Sequence, residues 1–222
     1  DRSSAASDVY KRQGVTFMKI HKLITGPVQE NCYILEKDGQ ALVVDPGSDG
    51  ERIIHKIEDL NLKPLHILLT HAHFDHIGAL DQVRDYYHIP ASIHEIEKDY
   101  LLDPDLNFSS MTGQPFTCQP ADHLFTEEVE LEIGPFDFKV VHTPGHSPGS
   151  VSFIFQSDKQ VIAGDALFRE SIGRTDSFNA DGPTLLDSIQ TKLLSLDDDF
   201  TVYPGHGQAT SIGHEKSYNP FF

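Results

Sequence analysis

The segment LHILLTHAHFDH, residues 65–76, decides the fold of this chain. A largely apolar run of strand length, Leu65–Leu69, passes directly into His71, His73, Asp75 and His76. Imidazole nitrogens and carboxylate oxygens are ligands that suit zinc, iron and manganese. A lone histidine at a strand end is usually a surface or core residue. Three histidines and an aspartate at the carboxyl end of one strand, where α/β proteins carry their sites, instead predict a metal site.

Three later strands end in a similar way. The segments HTPGHSPG (142–149), GD (164–165) and PGHG (204–207) each follow an apolar, strand-like run. Each contains glycine, which lets the backbone bend and bring a short polar side chain towards a shared centre. With residues 71–76 they predict one centre assembled from several strand ends. Its further candidate ligands are His146, Asp165 and His206.

The segment GHSPG at 145–149 also matches the G-x-S-x-G pattern of serine hydrolases. In those enzymes the nucleophile is followed by a helix and by a backbone N–H that contributes to the oxyanion hole. Here Ser147 is followed by Pro148, which has no N–H, and then by the strand-like run SVSFIF. The sequence therefore predicts that Ser147 is not a nucleophile.

Composition argues against nucleic acids and membranes as partners. The 222 residues carry 17 Lys+Arg and 34 Asp+Glu, a formal net charge of −17. Nucleic-acid binding depends on basic side chains that neutralise phosphates, so DNA and RNA are disfavoured as partners. No unbroken apolar run exceeds four residues, so no membrane-spanning helix and no membrane partner are predicted.

The cysteines and the start of the chain indicate the cellular compartment of the protein. Cys32 and Cys118 are too few for a disulfide framework and lack the spacing of a metal knuckle. The polar start has no apolar signal-peptide core, so we predict a cytoplasmic protein with reduced thiols. Residues 1–17 lack periodicity and precede Met18, which predicts a non-native or disordered extension before a single domain at 18–222.

Strands and helices alternate along the chain without a dividing linker, which favours a layered α/β architecture. Helices are predicted at 49–60, 76–87 and 182–196, and the aperiodic, Pro- and Gly-containing stretch at 103–125 predicts a long surface loop. Strands are predicted at 18–24, 31–35, 40–45, 65–69, 128–133, 137–142, 150–155, 160–163 and 201–203.

The order of the motifs resembles the metallo-β-lactamase fold superfamily, since H-x-H-x-D-H is followed by P-G-H, G-D and P-G-H-G across residues 71–206. Within it, GDALFRESIGRTD (164–176), YPGHGQATSIGHEK (203–216) and the final NPFF resemble the glyoxalase II group. The resemblance implies a four-layer αββα sandwich with a metal site at one edge of the two sheets. It also implies two divalent metal ions, zinc in the first place and iron or manganese as alternatives.

Carried over by position, the resemblance implies two sets of ligands. The first metal ion would be held by His71, His73 and His146, the second by Asp75, His76 and His206, and Asp165 would bridge them. It also implies that a hydroxide shared by the two ions attacks a carbonyl carbon, with Asp75 moving the proton. The other eight histidines match no ligand position, and among them His142 is a candidate for a supporting role.

The implied reaction is hydrolysis of an S-(2-hydroxyacyl)glutathione, or a related anionic acyl thioester, to a 2-hydroxy acid and a thiol. Candidate substrate contacts are Phe168, Arg169, Arg174 and Lys216. An arginine there would pair with a substrate carboxylate, or instead with Asp176 or Glu170 to shape the loop. Only sixteen residues follow His206, so the chain resembles the short type of glyoxalase II, for which glutathione specificity does not follow.

Two other activities fit the same ligands. A persulfide dioxygenase uses one iron and shares a stretch like Gly-Arg-Thr-Asp at 173–176, and a lactonase or β-lactamase would use the same metal pair. A non-catalytic binding module would be expected to have lost ligands, whereas all seven positions are occupied. The sequence therefore favours an enzyme and leaves its metal, acyl group, thiol carrier and oligomeric state open.

Overall fold

Two six-stranded β-sheets, packed face to face, form the centre of this fold. They are seen in a computed structural model that describes residue 14 and residues 16–222. Most of the segment interpreted as an extension, residues 1–13 and residue 15, lies outside the described residues. That residues 1–17 form a non-native or disordered extension stays a prediction. The single domain at 18–222 also stays a prediction.

The first sheet has its strands in chain order. They are β1 (Lys19–Thr25), β2 (Glu30–Lys37), β3 (Gln40–Val44), β4 (Lys63–Leu68), β5 (Ala91–His94) and β6 (His123–Phe125). The first three pair antiparallel, and β3 to β6 pair parallel. Parallel strands need crossover connections. These are α1 (Gly50–Asp59), α2 (Phe74–Ile77), α3 (Leu80–Tyr87) and two 3₁₀ segments, Glu95–Leu102 and Ser109–Thr112.

The second sheet is built from β7 (Val129–Ile133), β8 (Phe136–His142), β9 (Val151–Phe155), β10 (Gln160–Gly164), β13 (Thr201–Pro204) and β14 (Thr210–Ser211). A hairpin of β11 (Leu167–Phe168) and β12 (Ser171–Ile172) follows β10. Two helices complete the fold: α4 (Gly182–Ser188), which continues as a π-helical turn over Ile189–Leu193, and α5 (Ile212–Tyr218). Only β10 and β13 pair parallel in this sheet, so both end at the same edge.

Alternation along the strands sorts the apolar side chains into three cores. In β3, Val43 packs with α1 and α3, whereas its neighbour Val44 faces the second sheet. In β10, Ile162 lies between the sheets and Val161 packs with α4 and α5. Three cores separate four layers in the order helix, sheet, sheet, helix, which confirms the predicted αββα sandwich.

Three of the predicted elements differ in the structure. The helix predicted at 76–87 begins earlier, as α2, and is interrupted before α3. The reason is tertiary: the N–H of Ala79 donates to the carbonyl of Pro46 rather than within a helix, and a Cβ on Gly78 would lie 2.3 Å from the carbonyl oxygen of Gly47. The stretch at 103–125 contains a 3₁₀ segment and ends in β6, and the helix predicted at 182–196 ends as the π-helical turn.

The described residues contain two free thiols and only short helices. Cys32 and Cys118 are free thiols in the core beneath α1 and α3. Burial raises the pKa of the Cys118 thiol to about 12, which makes it unreactive at neutral pH. Among the described residues, no helix has the length and hydropathy that crossing a bilayer requires.

Candidate metal centre

Four strands end at one edge of the sandwich, and each is followed by side chains that the sequence predicts as metal ligands. β4 is followed by His71, His73, Asp75 and His76, β8 by His146, β10 by Asp165, and β13 by His206. The parallel pairing of β10 with β13 brings the last two together. The structure therefore brings all seven predicted ligand side chains into one place, in two adjoining groups.

The first group consists of His71, His73 and His146, whose nitrogens lie within 4.8 Å of one another. His73 Nδ1 and His146 Nε2 are 3.0 Å apart. Two nitrogens bound to one tetrahedral zinc ion, at Zn–N distances near 2.0–2.1 Å, lie about 3.3 Å apart. The group therefore has the size of a site for one metal ion.

Hydrogen bonds outside the group decide which nitrogen faces its centre. His146 Nδ1 lies 2.9 Å from the carbonyl oxygen of Arg174, which can only accept, so Nδ1 carries the proton. The Thr70 hydroxyl donates to Asp45 and accepts from His71 Nδ1 at 3.0 Å. In both imidazoles Nε2 keeps its lone pair for a ligand. His71 Nε2 is buried and has no hydrogen-bond partner among the described residues.

The second group consists of Asp75, His76, Asp165 and His206. Asp165 lies between the groups: its Oδ1 is 3.3 Å from His76 Nε2, and its Oδ2 is 3.4 Å from His146 Nε2 and 3.5 Å from His206 Nε2. Asp75 Oδ2 accepts from His206 Nε2 at 2.9 Å. His76 Nε2 and Asp165 Oδ1 are buried without a hydrogen-bond partner among the described residues. Unpartnered buried polar atoms are costly, and a shared cation would satisfy them.

The two groups differ in charge. Burial and the neighbouring imidazoles lower the pKa of His71 well below its ordinary value, and that of His73 to about 3. These imidazoles are therefore neutral, as metal ligands must be. For His206 burial acts in the same direction, but hydrogen bonds to Asp165 and Asp75 outweigh it and raise the pKa to about 10. The second group thus requires positive charge, which a proton or a metal ion can supply.

Asp45 supports both groups, a role that its place at the end of a predicted strand does not reveal. Its Oδ1 accepts from the Thr70 N–H at 2.8 Å, and its Oδ2 accepts from the Thr70 hydroxyl at 2.6 Å and from His76 Nδ1 at 2.9 Å. It thereby leaves His76 Nε2 directed at the centre, as partners behind metal-binding histidines do. The available signal was its position directly after β3, at the same sheet edge.

The loop that carries His206 is held by the first sheet. The side-chain amide of Asn31 donates to the carbonyls of Pro204 and Gly207 at 3.0 and 2.9 Å, and the Tyr33 hydroxyl also donates to Pro204. The Asn31 N–H donates to the carbonyl of Gly205 at 2.7 Å. These contacts join the start of β2 to the end of β13 and set the position of His206.

The proposed substrate contacts lie in different surroundings. The ring of Phe168 lies edge-on to that of His206, with centroids 6.1 Å apart. Arg169 is exposed. The guanidinium of Arg174 donates two hydrogen bonds to Asp176, which is the alternative to pairing with a substrate carboxylate. Lys216 Nζ lies 2.7 Å from Asp198 Oδ1.

His142 contacts the loop that carries His146. Its Nε2 lies 2.9 Å from the carbonyl oxygen of Pro148, which accepts the hydrogen bond, and its ring stacks on His94 with centroids 4.6 Å apart. His142 therefore holds the His146 loop through a hydrogen bond to its backbone.

Comparison with known proteins agrees with this geometry. The model of the metallo-beta-lactamase superfamily matches residues 25–206. The chain is 49% identical to the probable metallo-hydrolase YqgX of Bacillus subtilis, over 92% of this chain and 97% of that protein. It is 38% identical to the hydroxyacylglutathione hydrolase GloC of Haemophilus influenzae, over 92% of this chain and 98% of that protein.

Two solved structures are also similar. The crystal structure of BLEG-1, described as a B3 metallo-beta-lactamase, has a TM-score of 0.90 and 50% identity, covering 91% of this chain and 99% of that one. TTHA1623, in a di-iron-bound form, has a TM-score of 0.80 and 36% identity, covering 91% of this chain and 100% of that one. By its sequence, its αββα fold and its paired groups of histidine and aspartate, this chain belongs to the metallo-β-lactamase superfamily.

Proposed function

We propose that this protein is a dinuclear metal-dependent hydrolase of the glyoxalase II type. It would cleave an S-(2-hydroxyacyl)glutathione, or a related anionic acyl thioester, with water to give a 2-hydroxy acid and the thiol. The observation that carries the proposal is the position of the Asp165 carboxylate, within 3.5 Å of histidines from both groups. The similarity to GloC supports the thioester as substrate.

The metal ligands follow the two groups. We assign His71, His73 and His146 to the first ion, Asp75, His76 and His206 to the second, and Asp165 to both. When bound, a pair of divalent ions polarises a carbonyl and provides hydroxide at neutral pH. The nitrogen and oxygen ligands suit zinc, and the di-iron form of TTHA1623 supports iron as the alternative.

In the reaction, Asp75 handles the proton. In the metal-free protein, burial raises the pKa of Asp75, but the charge of His76 and the hydrogen bond from His206 outweigh burial and lower it. A cation held by these side chains would also favour the ionised carboxylate. The ionised carboxylate would take up the proton that a water molecule loses on becoming the hydroxide that attacks the carbonyl carbon. It returns the proton to the thiolate sulfur after the carbon–sulfur bond breaks. Ser147 has no role as nucleophile, because its hydroxyl is buried and donates to Glu97.

An aromatic wall beside the first group supports an acyl thioester with an apolar portion. The ring of Phe108 lies 4.8 Å from that of His73 and 5.8 Å from that of Phe178, which is 74% exposed. Phe108 has φ 67°, and left-handed backbone at a bulky residue is costly and concentrates at functional sites. The buried Asn107 holds this turn, since its side chain accepts from the Ser109 N–H at 2.9 Å.

This wall predicts a change in acyl preference when Phe108 is replaced by alanine. Loss of one ring–ring contact, worth about 1 kcal/mol, should lower kcat/KM for S-mandeloylglutathione about fivefold relative to S-D-lactoylglutathione. Steady-state assays of both substrates measure the ratio. Met111→Ala, in the neighbouring 3₁₀ segment and 81% exposed, is the control. An equal loss for both substrates in Phe108→Ala would show that the wall does not bind the acyl group.

A second candidate is β-lactam hydrolysis, which the 50% identity to BLEG-1 favours. Hydrolysis of a β-lactam carbonyl would need the same polarisation and the same hydroxide that two ions held by these ligands would supply. A β-lactam differs from a thioester in its leaving group, an amine nitrogen rather than a thiolate. Turnover of the two substrates by one preparation therefore separates the candidates.

The deciding experiment is steady-state hydrolysis of S-D-lactoylglutathione by protein of measured zinc and iron content, beside a chromogenic β-lactam and a lactone. We expect kcat/KM above ~10⁴ M⁻¹s⁻¹ for the thioester, the lower end of ordinary enzymes, and at least tenfold less for the others. Turnover of the β-lactam alone would transfer the assignment to the second candidate. Oxygen uptake with a persulfide by an iron-loaded, thioester-inactive protein would replace hydrolysis with dioxygenation.

A further inference from the structure

A buried glutamate outside both ligand groups joins the two segments that carry the first group. Glu97 lies in the 3₁₀ segment Glu95–Leu102 and is fully buried. Its Oε2 accepts from the N–H of Ala72 at 2.7 Å. Its Oε1 accepts from the N–H of Gly149 at 2.9 Å and from the hydroxyl of Ser147. No sequence motif had singled out this residue.

The positions of these donors matter. Ala72 lies between His71 and His73, and Ser147 directly follows His146. One oxygen of Glu97 therefore holds the loop after β4, and the other holds the loop after β8. The two loops come from different sheets, and Glu97 joins them next to His73 and His146, whose Nδ1 and Nε2 atoms lie 3.0 Å apart. A backbone hydrogen bond from the N–H of Val151 to the carbonyl of Thr70 also links these segments.

The surroundings of Glu97 require a carboxylate. Backbone N–H groups can only donate, and the Ser147 hydroxyl donates here while its oxygen lies 2.6 Å from Ser150 Oγ. Both oxygens must therefore accept. A glutamine has the same shape but presents an NH₂ group to one of the two loops, where it would face another donor. Leaving a buried donor unpaired is costly, so the loops would have to move apart.

We propose that Glu97 is a positioning residue for the first metal ion, acting through the backbone on either side of His71, His73 and His146. The carboxylate clamps the two loops at the separation that one ion requires. This inference rests on the ligand assignment made under the proposed function and is independent of the substrate. Residues that orient ligands in this way typically change metal affinity 10- to 100-fold when replaced.

The test is Glu97→Gln, compared with Glu95→Gln, which removes the same charge from an exposed position of the same segment. Each metal-free protein is titrated with Co²⁺ and followed by visible absorption. His146→Ala and His206→Ala provide reference spectra for loss of the first and of the second site. We expect Glu97→Gln to bind one Co²⁺ at least tenfold more weakly, with the remaining spectrum matching His146→Ala. The other affinity should stay within about twofold of that of Glu95→Gln.

Ser147→Ala is the second variant, should Glu97→Gln fold poorly. It removes only one of the three donors and should weaken the same site by a smaller factor. If both affinities of Glu97→Gln equal those of Glu95→Gln, Glu97 does not position the site. If both sites weaken equally and the metal-free protein also melts lower, Glu97 is only a structural residue. If the unaltered protein binds fewer than two ions, the ligand assignment itself is wrong.

Discussion

Replacing Asp165 with alanine is expected to remove both metal ions together and to lower kcat/KM by more than about 100-fold, the upper end for residues that only orient a ligand. The reason is its position: it contacts histidines of both groups, whereas each of the other six ligands belongs to one. Metal content measured by atomic emission, beside the thioester assay, checks both parts of the expectation.

The control is Asp187→Ala, an exposed aspartate in α4 that should leave metal content and activity unchanged. Three outcomes distinguish the roles of Asp165. Loss of both ions supports a shared ligand. Loss of a single ion would place Asp165 in one group only. Full metal content with full activity in Asp165→Ala would contradict the ligand assignment altogether.

Gly205→Ala should also inactivate the protein. It removes no ligand, but its added methyl group would collide with ligand side chains. A Cβ at this position would lie 2.0 Å from Asp165 Oδ1 and 2.8 Å from His76 Cε1. The backbone cannot retreat, because the N–H of Gly205 donates to Gly164 and its carbonyl accepts from Asn31. We expect Asp165 to be displaced and kcat/KM to fall at least about tenfold, as for loss of an orienting residue.

Gly207→Ala is the matched control for this substitution. Its Cβ would meet nothing within 4 Å, although its φ of +82° makes alanine unfavourable there by about 1 kcal/mol. It should therefore be slightly less stable in urea denaturation but retain metal ions and activity. If Gly205→Ala also retains them, the close contact between the His206 loop and Asp165 does not control the site.

The alternation of strand and helix patterns was sufficient to predict a layered α/β architecture, because each pattern is a local property of the sequence. The four-layer αββα sandwich followed from the resemblance to the superfamily. Neighbouring residues such as Val43 and Val44 face different cores, and this requires a buried sheet with apolar layers on both sides. The helix break before α3 was missed because it depends on the carbonyl of Pro46, more than thirty residues earlier in the chain. Periodicity carries no information about such a contact.

For the site, the sequence by itself determined which side chains are available as ligands and that they follow strand ends. Only the tertiary structure decided how they are held. Asp45 binds side chains 25 and 31 residues away, and Glu97 binds partners 25 to 52 residues away. The side chain of Asn31 reaches carbonyls 173 and 176 residues away. It also decided that Arg174 and Lys216 are engaged by neighbouring aspartates. These hydrogen bonds join loops that are far apart in the sequence. The loops come into contact only when the two sheets pack together, so the sequence pattern does not reveal the partners.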